Sequence, residues 1–412
     1  MKPLGPIPAG FSARDGELAI DGLRVSELVA RAGDTPLFVY SGAMIAARVA
    51  RLRAAMPQRL AIHYAVKANP YAPLLELMAG LVDGFDIASG GELAMIHAAG
   101  IAPGRVSFAG PGKRDAELEA AIAAGVTLNL ESAGEAVRAL AIGERLGVVP
   151  RLAVRVNPSF DLKGSGMKMG GGAKQFGIDA EKVPEVIRAI RDAGAEWRGL
   201  HIFAGSQALD PAAISETQAQ TLALAAQIAE AVGAQLPALN LGGGFGIPYF
   251  PGDTDLDIET IGRNLATAFE NIPQALVYTQ FCLELGRWLV GEAGVYLTRI
   301  VDRKESHGEV FLITDGGLHH QLAASGNFGT VVRRNYPVAI ASRFDAPASE
   351  EASVVGCLCT PLDRLADKAR FPRAEVADLV AVFCAGAYGA SASPAMFLGQ
   401  GPAREMLLRV NR

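Results

Sequence analysis

No stretch of this chain is long and apolar enough to span a bilayer, because glycine and charge interrupt every hydrophobic run. Met1-Lys2-Pro3-Leu4-Gly5-Pro6 has no apolar signal-peptide core, so a cytoplasmic protein is expected. Cysteine is scarce: Cys282, Cys357, Cys359 and Cys384 are the only four in 412 residues. Apart from one tight Cys-x-Cys they lack zinc-like spacing, which points to reduced thiols rather than a disulfide framework. Neither sign of charge dominates. The 38 Lys and Arg and 43 Asp and Glu are interspersed and leave a net charge of −5, so no nucleic acid or anionic membrane surface is indicated as a partner. His319-His320, His63, His97 and His307 have no neighbours at metal-ligand spacing, and no metal is expected. Internal repeats and low-complexity linkers are absent as well.

What is present is an α/β composition, 50% hydrophobic and 20% charged with 47 glycines, in a chain long enough for two domains. Short apolar segments alternate with Ala/Leu/Arg/Glu-rich helical stretches. The segments are Ile62 to Val66, Gly84 to Ser89, Val106 to Ala109, Val126 to Leu130, Leu152 to Val156, Gly199 to Phe203, Ala238 to Leu241 and Val277 to Leu285. Near-continuous apolar runs read as strands buried on both faces of a parallel sheet. About eight such units match a (β/α)₈ TIM barrel, with a doubly wound sheet as the rival. After Arg287 the strands lose their intervening helices, which predicts a C-terminal antiparallel β domain. Leu37-Phe38-Val39-Tyr40 and a hairpin at Glu17 to Leu23 are placed to join it. The expected division is residues 1–45 with the β domain, 46–286 as barrel and 287–412 as β domain.

Several residues point to chemistry. Lys67 follows an apolar strand and precedes turn residues. A lysine facing inward there is costly to bury as a cation, and desolvation makes its amine a usable nucleophile toward an aldehyde; otherwise it is a snorkelling or paired side chain. Leu241-Gly242-Gly243-Gly244-Phe245-Gly246 follows a strand, where glycine backbone approaches and cradles an anion, or simply makes a tight turn. It is neither a Walker motif nor a dinucleotide fingerprint. Gly205-Ser206-Gln207 offers a second donor set. Glu284 and Arg287 close the last barrel strand; the acid suits a protonated ring nitrogen and the guanidinium a phosphate, unless they are an ordinary internal ion pair. Gly356-Cys357-Leu358-Cys359-Thr360-Pro361-Leu362-Asp363 sets a thiol beside a loop carboxylate, and Gly386-Ala387-Tyr388-Gly389 sets a phenol in a turn. The Gly-rich stretch from Lys163 to Gln175 has the length of a lid.

In this order the motifs resemble the fold-type III pyridoxal-phosphate decarboxylases, the ornithine, arginine and diaminopimelate decarboxylase family. The resemblance runs from Leu37 to Phe397. It implies an alanine-racemase-like barrel with a β domain, pyridoxal 5′-phosphate as cofactor, and a homodimer whose active sites are shared. It further implies that Lys67 carries the cofactor covalently and that Cys359 of the partner subunit protonates the α-carbon. Asp86, Arg155, Phe203, Ser206, Gly243, Gly244, Gly246, Glu284, Gly286, Arg287 and Tyr388 would contact the cofactor. His201, Thr360, Asp363 and Asn327 would line the substrate.

The departures narrow the substrate. Phe203 stands where the family usually stacks a histidine on the cofactor ring, and it can stack but not titrate. Thr360 stands where ornithine- and diaminopimelate-type enzymes place an acid for the distal amine. Ala323 and Asn327 stand where diaminopimelate enzymes read the distal carboxylate. The Lys163 to Gly172 loop, Gly246 to Gly252, and Ser393-Pro394-x-x-Phe397-Leu398 resemble the exosortase-system-associated pyridoxal-dependent decarboxylase subgroup. That subgroup is related to enzymes acting on carrier-protein- or siderophore-linked amino acids. The expected activity is removal of the α-carboxylate from an amino acid or a conjugate of one. A diaminopimelate or basic amino acid decarboxylase, an amino-acid racemase, and a non-catalytic cofactor-binding protein are the alternatives.

Overall fold

The computed structural model describes residues 1–326 and 334–409; Asn327 lies outside them. The chain folds as two units: Val49–Gly246 with Asp255–Gly286, and Met1–Arg48 with Ile247–Thr254 and Arg287–Arg412. The Ile247–Thr254 segment therefore departs from the expected 46–286 division. Its residues pack into the second unit: the Tyr249 ring lies 4.7 Å from that of Tyr336, and the Cys384 thiol donates to the Pro248 carbonyl.

In the first unit, eight parallel strands close on themselves. They are β1 (Leu60–Ala65), β2 (Gly84–Ile87), β3 (Val106–Phe108), β4 (Thr127–Leu130), β5 (Arg151–Asn157), β6 (Glu196–His201), β7 (Ala238–Gly243) and β8 (Gln280–Leu285). Each pairs with the next and β8 returns to β1, so the rival open sheet is excluded. Alternation in β1 shows why the strands read as they do. Leu60, Ile62 and Tyr64 are buried on one face, while Ala61 and His63 turn the other way and are only half-buried.

The helices that follow the strands are capped where the chain leaves the sheet. Ser89 accepts from the Glu92 amide, Ser132 from Glu135 and Asp210 from Ala212, each satisfying a first-turn N–H with no partner inside its helix. Gly147 and Gly233 end their helices in the left-handed conformation. The turns between strand ends and capped helices form one face of the barrel, and the chemically able residues of this unit gather there.

The second unit is built on the 13-residue strand Gly294–Ser306, which pairs antiparallel with Leu37–Ser41, Glu309–Thr314 and Leu379–Val382. The sheet is mixed rather than antiparallel throughout. Arg404–Leu408 runs parallel to Leu37–Ser41, and Glu309–Thr314 parallel to Glu350–Val355. Adjacent hairpin strands must be antiparallel, but these pairs join strands distant in sequence, where either direction is open. A core of Leu18, Val25, Leu28, Leu37, Val39, Val295, Leu297 and Phe383 holds the N-terminal segment onto this sheet. Among the described residues no helix is long and apolar enough to cross a membrane.

Candidate active site

Lys67 lies in a single 3₁₀ turn, Val66–Ala68, directly after β1. Tyr64 Oη donates to the Asn69 carbonyl, and the Asn69 side chain accepts from the Tyr71 amide, so the turn is clamped from both sides. The sequence reading expected apolar burial for this lysine. Because the strand ends at Ala65, two residues earlier, its side chain is instead 46% exposed, with a carboxylate and an aromatic face as neighbours. Nζ is 3.7 Å from Glu284 Oε1 and 5.6 Å from the centroid of the Phe203 ring. Gly286 makes this approach possible, since a Cβ there would press to 2.7 Å on that of Ala68.

Glu284, on β8, is buried. Its Oε2 is 2.8 Å from His201 Nε2 and 3.5 Å from Asn240 Nδ2. Burial opposes the charge. The hydrogen bond and charge of His201, with Lys67 and Arg155 behind them, override it and hold the carboxyl below the usual carboxylate range. His201, expected at the substrate, is thus a buried partner of Glu284. Its side chain leaves the strand end pointing into the barrel beside β8 rather than outward.

Asp86, on β2, is buried, and both of its carboxylate oxygens lack a hydrogen-bond partner among the described residues. Arg155 on β5 is buried and donates to Glu131 Oε1 at 2.8 Å. Glu131 also accepts from the amides of Gly110 and Gly177, and so fixes both the guanidinium and the far end of the 163–177 stretch. That stretch is not a free flap. Met167–Lys168 pairs as a strand with Gly205–Ser206, and the Met169 and Gly170 amides donate to the Ala204 carbonyl.

The glycine loop after β7 owes its composition to close backbone packing. A Cβ on Gly243 would run into the Glu284 carbonyl, and one on Gly244, at φ +81°, into the Gly205 carbonyl. The Gly246 amide donates to the Ala208 carbonyl, which removes it from the anion-cradling role expected of it. The loops after β6 and β7 therefore lie against each other, with Ser206 on the first.

In the second unit, Arg287 Nη1 donates to Tyr249 Oη at 2.7 Å, and its guanidinium lies 4.7 Å from the Tyr388 ring centroid. Burial pushes the Tyr249 phenol up to about 12, so it stays protonated. Tyr249 was missed as a site residue. Its motif was visible, but its partnership with Arg287 spans 38 positions. Cys359 is exposed, as is Cys357. Thr360 Oγ1 accepts from the Leu362 amide within the same turn. Asp363, expected at the substrate, is buried instead. Its two oxygens accept from the amides of Leu318 (2.7 Å) and Leu358 (2.9 Å), and Gly317 and Gly356 are glycines because a Cβ on either would meet this carboxylate. Ala323 lies on the short helix Leu322–Ser325.

Residues 42–291 match the family model described as the pyridoxal-dependent decarboxylase, pyridoxal binding domain. The chain is 36% identical over 382 residues to an L-glutamyl-[BtrI acyl-carrier protein] decarboxylase of Niallia circulans, covering 91% of this chain and 89% of that one. It is 34% identical over 379 residues to a diaminopimelate decarboxylase of Aquifex aeolicus, covering 91% and 87%. Among solved structures, the diaminopimelate decarboxylase from M. jannaschi superposes with a TM-score of 0.87 at 26% identity, covering 97% of this chain and 93% of that one. AQ1208 from Aquifex aeolicus does so with 0.83 at 30%, covering 97% and 92%. Sequence likeness of this extent, on a shared barrel with its lysine and carboxylate at the strand ends, makes the chain a member of the pyridoxal-dependent decarboxylases, which use pyridoxal 5′-phosphate to release CO₂ from amino acids.

Proposed function

We propose that this enzyme decarboxylates an amino acid whose far end is uncharged or continues as a conjugate, such as an aminoacyl group on a carrier protein. The observation that carries this reading is the state of the Cys359 loop. Thr360 offers only a hydroxyl, and the carboxylate of Asp363 is buried against backbone amides that each of its oxygens accepts from. No ionised side chain of that loop is left to pair with a distal ammonium, and a buried charge without a partner costs several kcal/mol. The N. circulans relative, named for a carrier-bound glutamyl substrate, supports the same reading.

The barrel residues fit the cofactor. Asp86 supplies a buried carboxylate whose oxygens accept no hydrogen bond among the described residues, Glu284 turns Oε1 toward Lys67, and Phe203 presents an aromatic face to the same amine. When bound, the cofactor supplies an electron sink for the pair left at the α-carbon as CO₂ departs. Lys67 is its covalent attachment point. Glu284, kept ionised and oriented by His201, holds a proton at the ring nitrogen. Arg155, fixed by Glu131, would meet the ring's phenolic oxygen. Ser206, Gly243 and Gly244 hold the phosphate, and the assignment of Arg287 and Tyr388 to that phosphate is carried by their motifs. Cys359 of a second subunit would supply the proton to the α-carbon, in a homodimer with shared sites. Four free cysteines support a cytoplasmic location.

The test is CO₂ release from free, carrier-tethered and citryl-conjugated amino acids. Ornithine, lysine, arginine and meso-diaminopimelate should each fall behind the preferred conjugate by roughly a hundredfold in kcat/KM. Turnover of any of the four at a kcat/KM on the order of 10⁴ M⁻¹s⁻¹ overturns the reading and restores a basic amino acid or diaminopimelate assignment.

A further inference from the structure

The interior of a (β/α)₈ barrel is ordinarily filled by layers of bulky branched side chains. Here it is not. Ala61, Ala153 and Ala238 stand at positions of β1, β5 and β7 that line a cavity of about 210 Å³, and Ser107, Asn129 and Asn240 add polar groups to its wall. The lining residues come from the early part of each strand, so the cavity opens at the end of the barrel opposite the Lys67 turn. A water occupies roughly 10–15 Å³ of such volume, and a polar wall fills with water where an apolar one stays dry.

His63 stands at the inner end of this space. Its side chain is 22% exposed, and the cavity accounts for that exposure because the imidazole lines it. In register, His63 is flanked by Glu284 on β8 and Gly84 on β2. Gly84 is a glycine for the sake of this ring, since a Cβ there would lie 2.5 Å from Nε2. Nδ1 is 3.3 Å from Asp86 Oδ2, an ion-pair contact without the alignment of a hydrogen bond. Asp86 is itself in register with Ala65, at the strand end from which the Lys67 turn springs.

We propose that the lumen is a solvated chamber and that His63, at its inner end, is a positioning residue that holds the Asp86 carboxylate next to the Lys67 turn. The role rests on the decarboxylase reading for its purpose but not for its test. The charged groups facing His63 are Asp86 and Asp83 from the β2 side and Glu284 from β8, while Cys282, Arg105 and Arg198 line the same cavity. Burial pushes the imidazole down; Asp86 first, then Glu284 and Asp83, outweigh it and leave His63 above the ordinary imidazole value. Water in the chamber weakens the burial penalty and strengthens that outcome.

One measurement on the holoenzyme decides the matter. Deuterium exchange at the imidazole C2 position, followed by mass spectrometry against pH, should show His63 exchanging far faster than the sealed His201. Its midpoint should lie above the ordinary value of about 6.5, and Asp86→Asn, which removes the carboxylate in contact with Nδ1, should bring that midpoint down. Exchange at His63 as slow as at His201, or a midpoint unmoved by Asp86→Asn, overturns the proposal. Failure of borohydride to fix the cofactor on Lys67 would instead strike at the decarboxylase reading and leave these outcomes readable.

Discussion

Glu284 and Asp363 are buried carboxylates, one in each unit of the molecule, and the two are held by different means. Glu284 in the barrel is gripped on one oxygen by the His201 side chain, while its other oxygen faces Lys67. Asp363 in the β unit is gripped on both oxygens by backbone amides and is wrapped by two glycines. A carboxylate held by a side chain keeps one face for chemistry. A carboxylate held on both oxygens by backbone amides is part of the architecture. The β unit thus has a well-braced loop bearing Cys359, and the barrel has a buried carboxylate with one oxygen turned toward Lys67, the arrangement on which the proposed function draws.

The largest expected effect is at Lys67. Lys67→Ala should lower kcat/KM by at least roughly 10³ and abolish borohydride trapping of the cofactor on the Lys67 peptide, with the circular dichroism spectrum unchanged. Trapping at another lysine would sink the attachment assigned above.

The next pair of variants addresses the comparison itself. Glu284→Gln should cost on the order of 10²- to 10³-fold in kcat, with a smaller loss of denaturant stability than that caused by Asp363→Asn. Asp363→Asn should do the reverse. It weakens two buried amide contacts, losing about 1–3 kcal/mol of unfolding free energy, with a smaller loss of kcat. If both variants lose activity and stability in equal measure, the distinction between a chemical and an architectural carboxylate fails.

Subunit mixing sharpens the assignment of Cys359. Cys359→Ala and Lys67→Ala homodimers should each be nearly inactive, and exchanging their subunits should restore part of the activity by regenerating sites with both groups intact. No recovery after verified exchange would place the thiol outside a shared site.

The smallest expected effect is a pH signature of Glu284. Its folded-state value is depressed, so the stabilisation it contributes is present above the ordinary carboxylate range, about 4.3, and is lost as pH falls through the folded value. The difference in unfolding free energy between wild type and Glu284→Gln should stay flat from about pH 8 to 5 and narrow below that. A difference that instead shrinks on rising from pH 6 to 8 would mean that Glu284 ionisation does not carry the coupling.

How much of this was readable beforehand follows from the range of each interaction. The eight barrel strands were legible because residues buried on both faces leave unbroken apolar runs, and Lys67 and Glu284 were legible because they sit at the ends of those runs. The role of Asp363 was not, because it depends on Leu318 and Gly317, more than forty positions away. Nor was the parallel pairing of Arg404–Leu408 with Leu37–Ser41, which joins opposite ends of the chain. The glycine loop was read correctly as special and given the wrong local reason at Gly246. Its sequence permits an anion cradle and a close loop contact equally, and only the neighbouring Ala208 carbonyl decides between them.

The Asp363 clamp also sets the terms on which this enzyme's substrate range can be altered. Gly317, Gly356 and Asp363 fit one another so closely that none can be exchanged alone without cost: a side chain at either glycine collides with the carboxylate, and loss of the carboxylate strands the amides of Leu318 and Leu358. For an engineer the three form a single cassette, to be transplanted whole or left untouched. Thr360, a half-buried neighbour that braces only its own turn, is the open slot beside it, the position at which a new charge can be added without dismantling the scaffold.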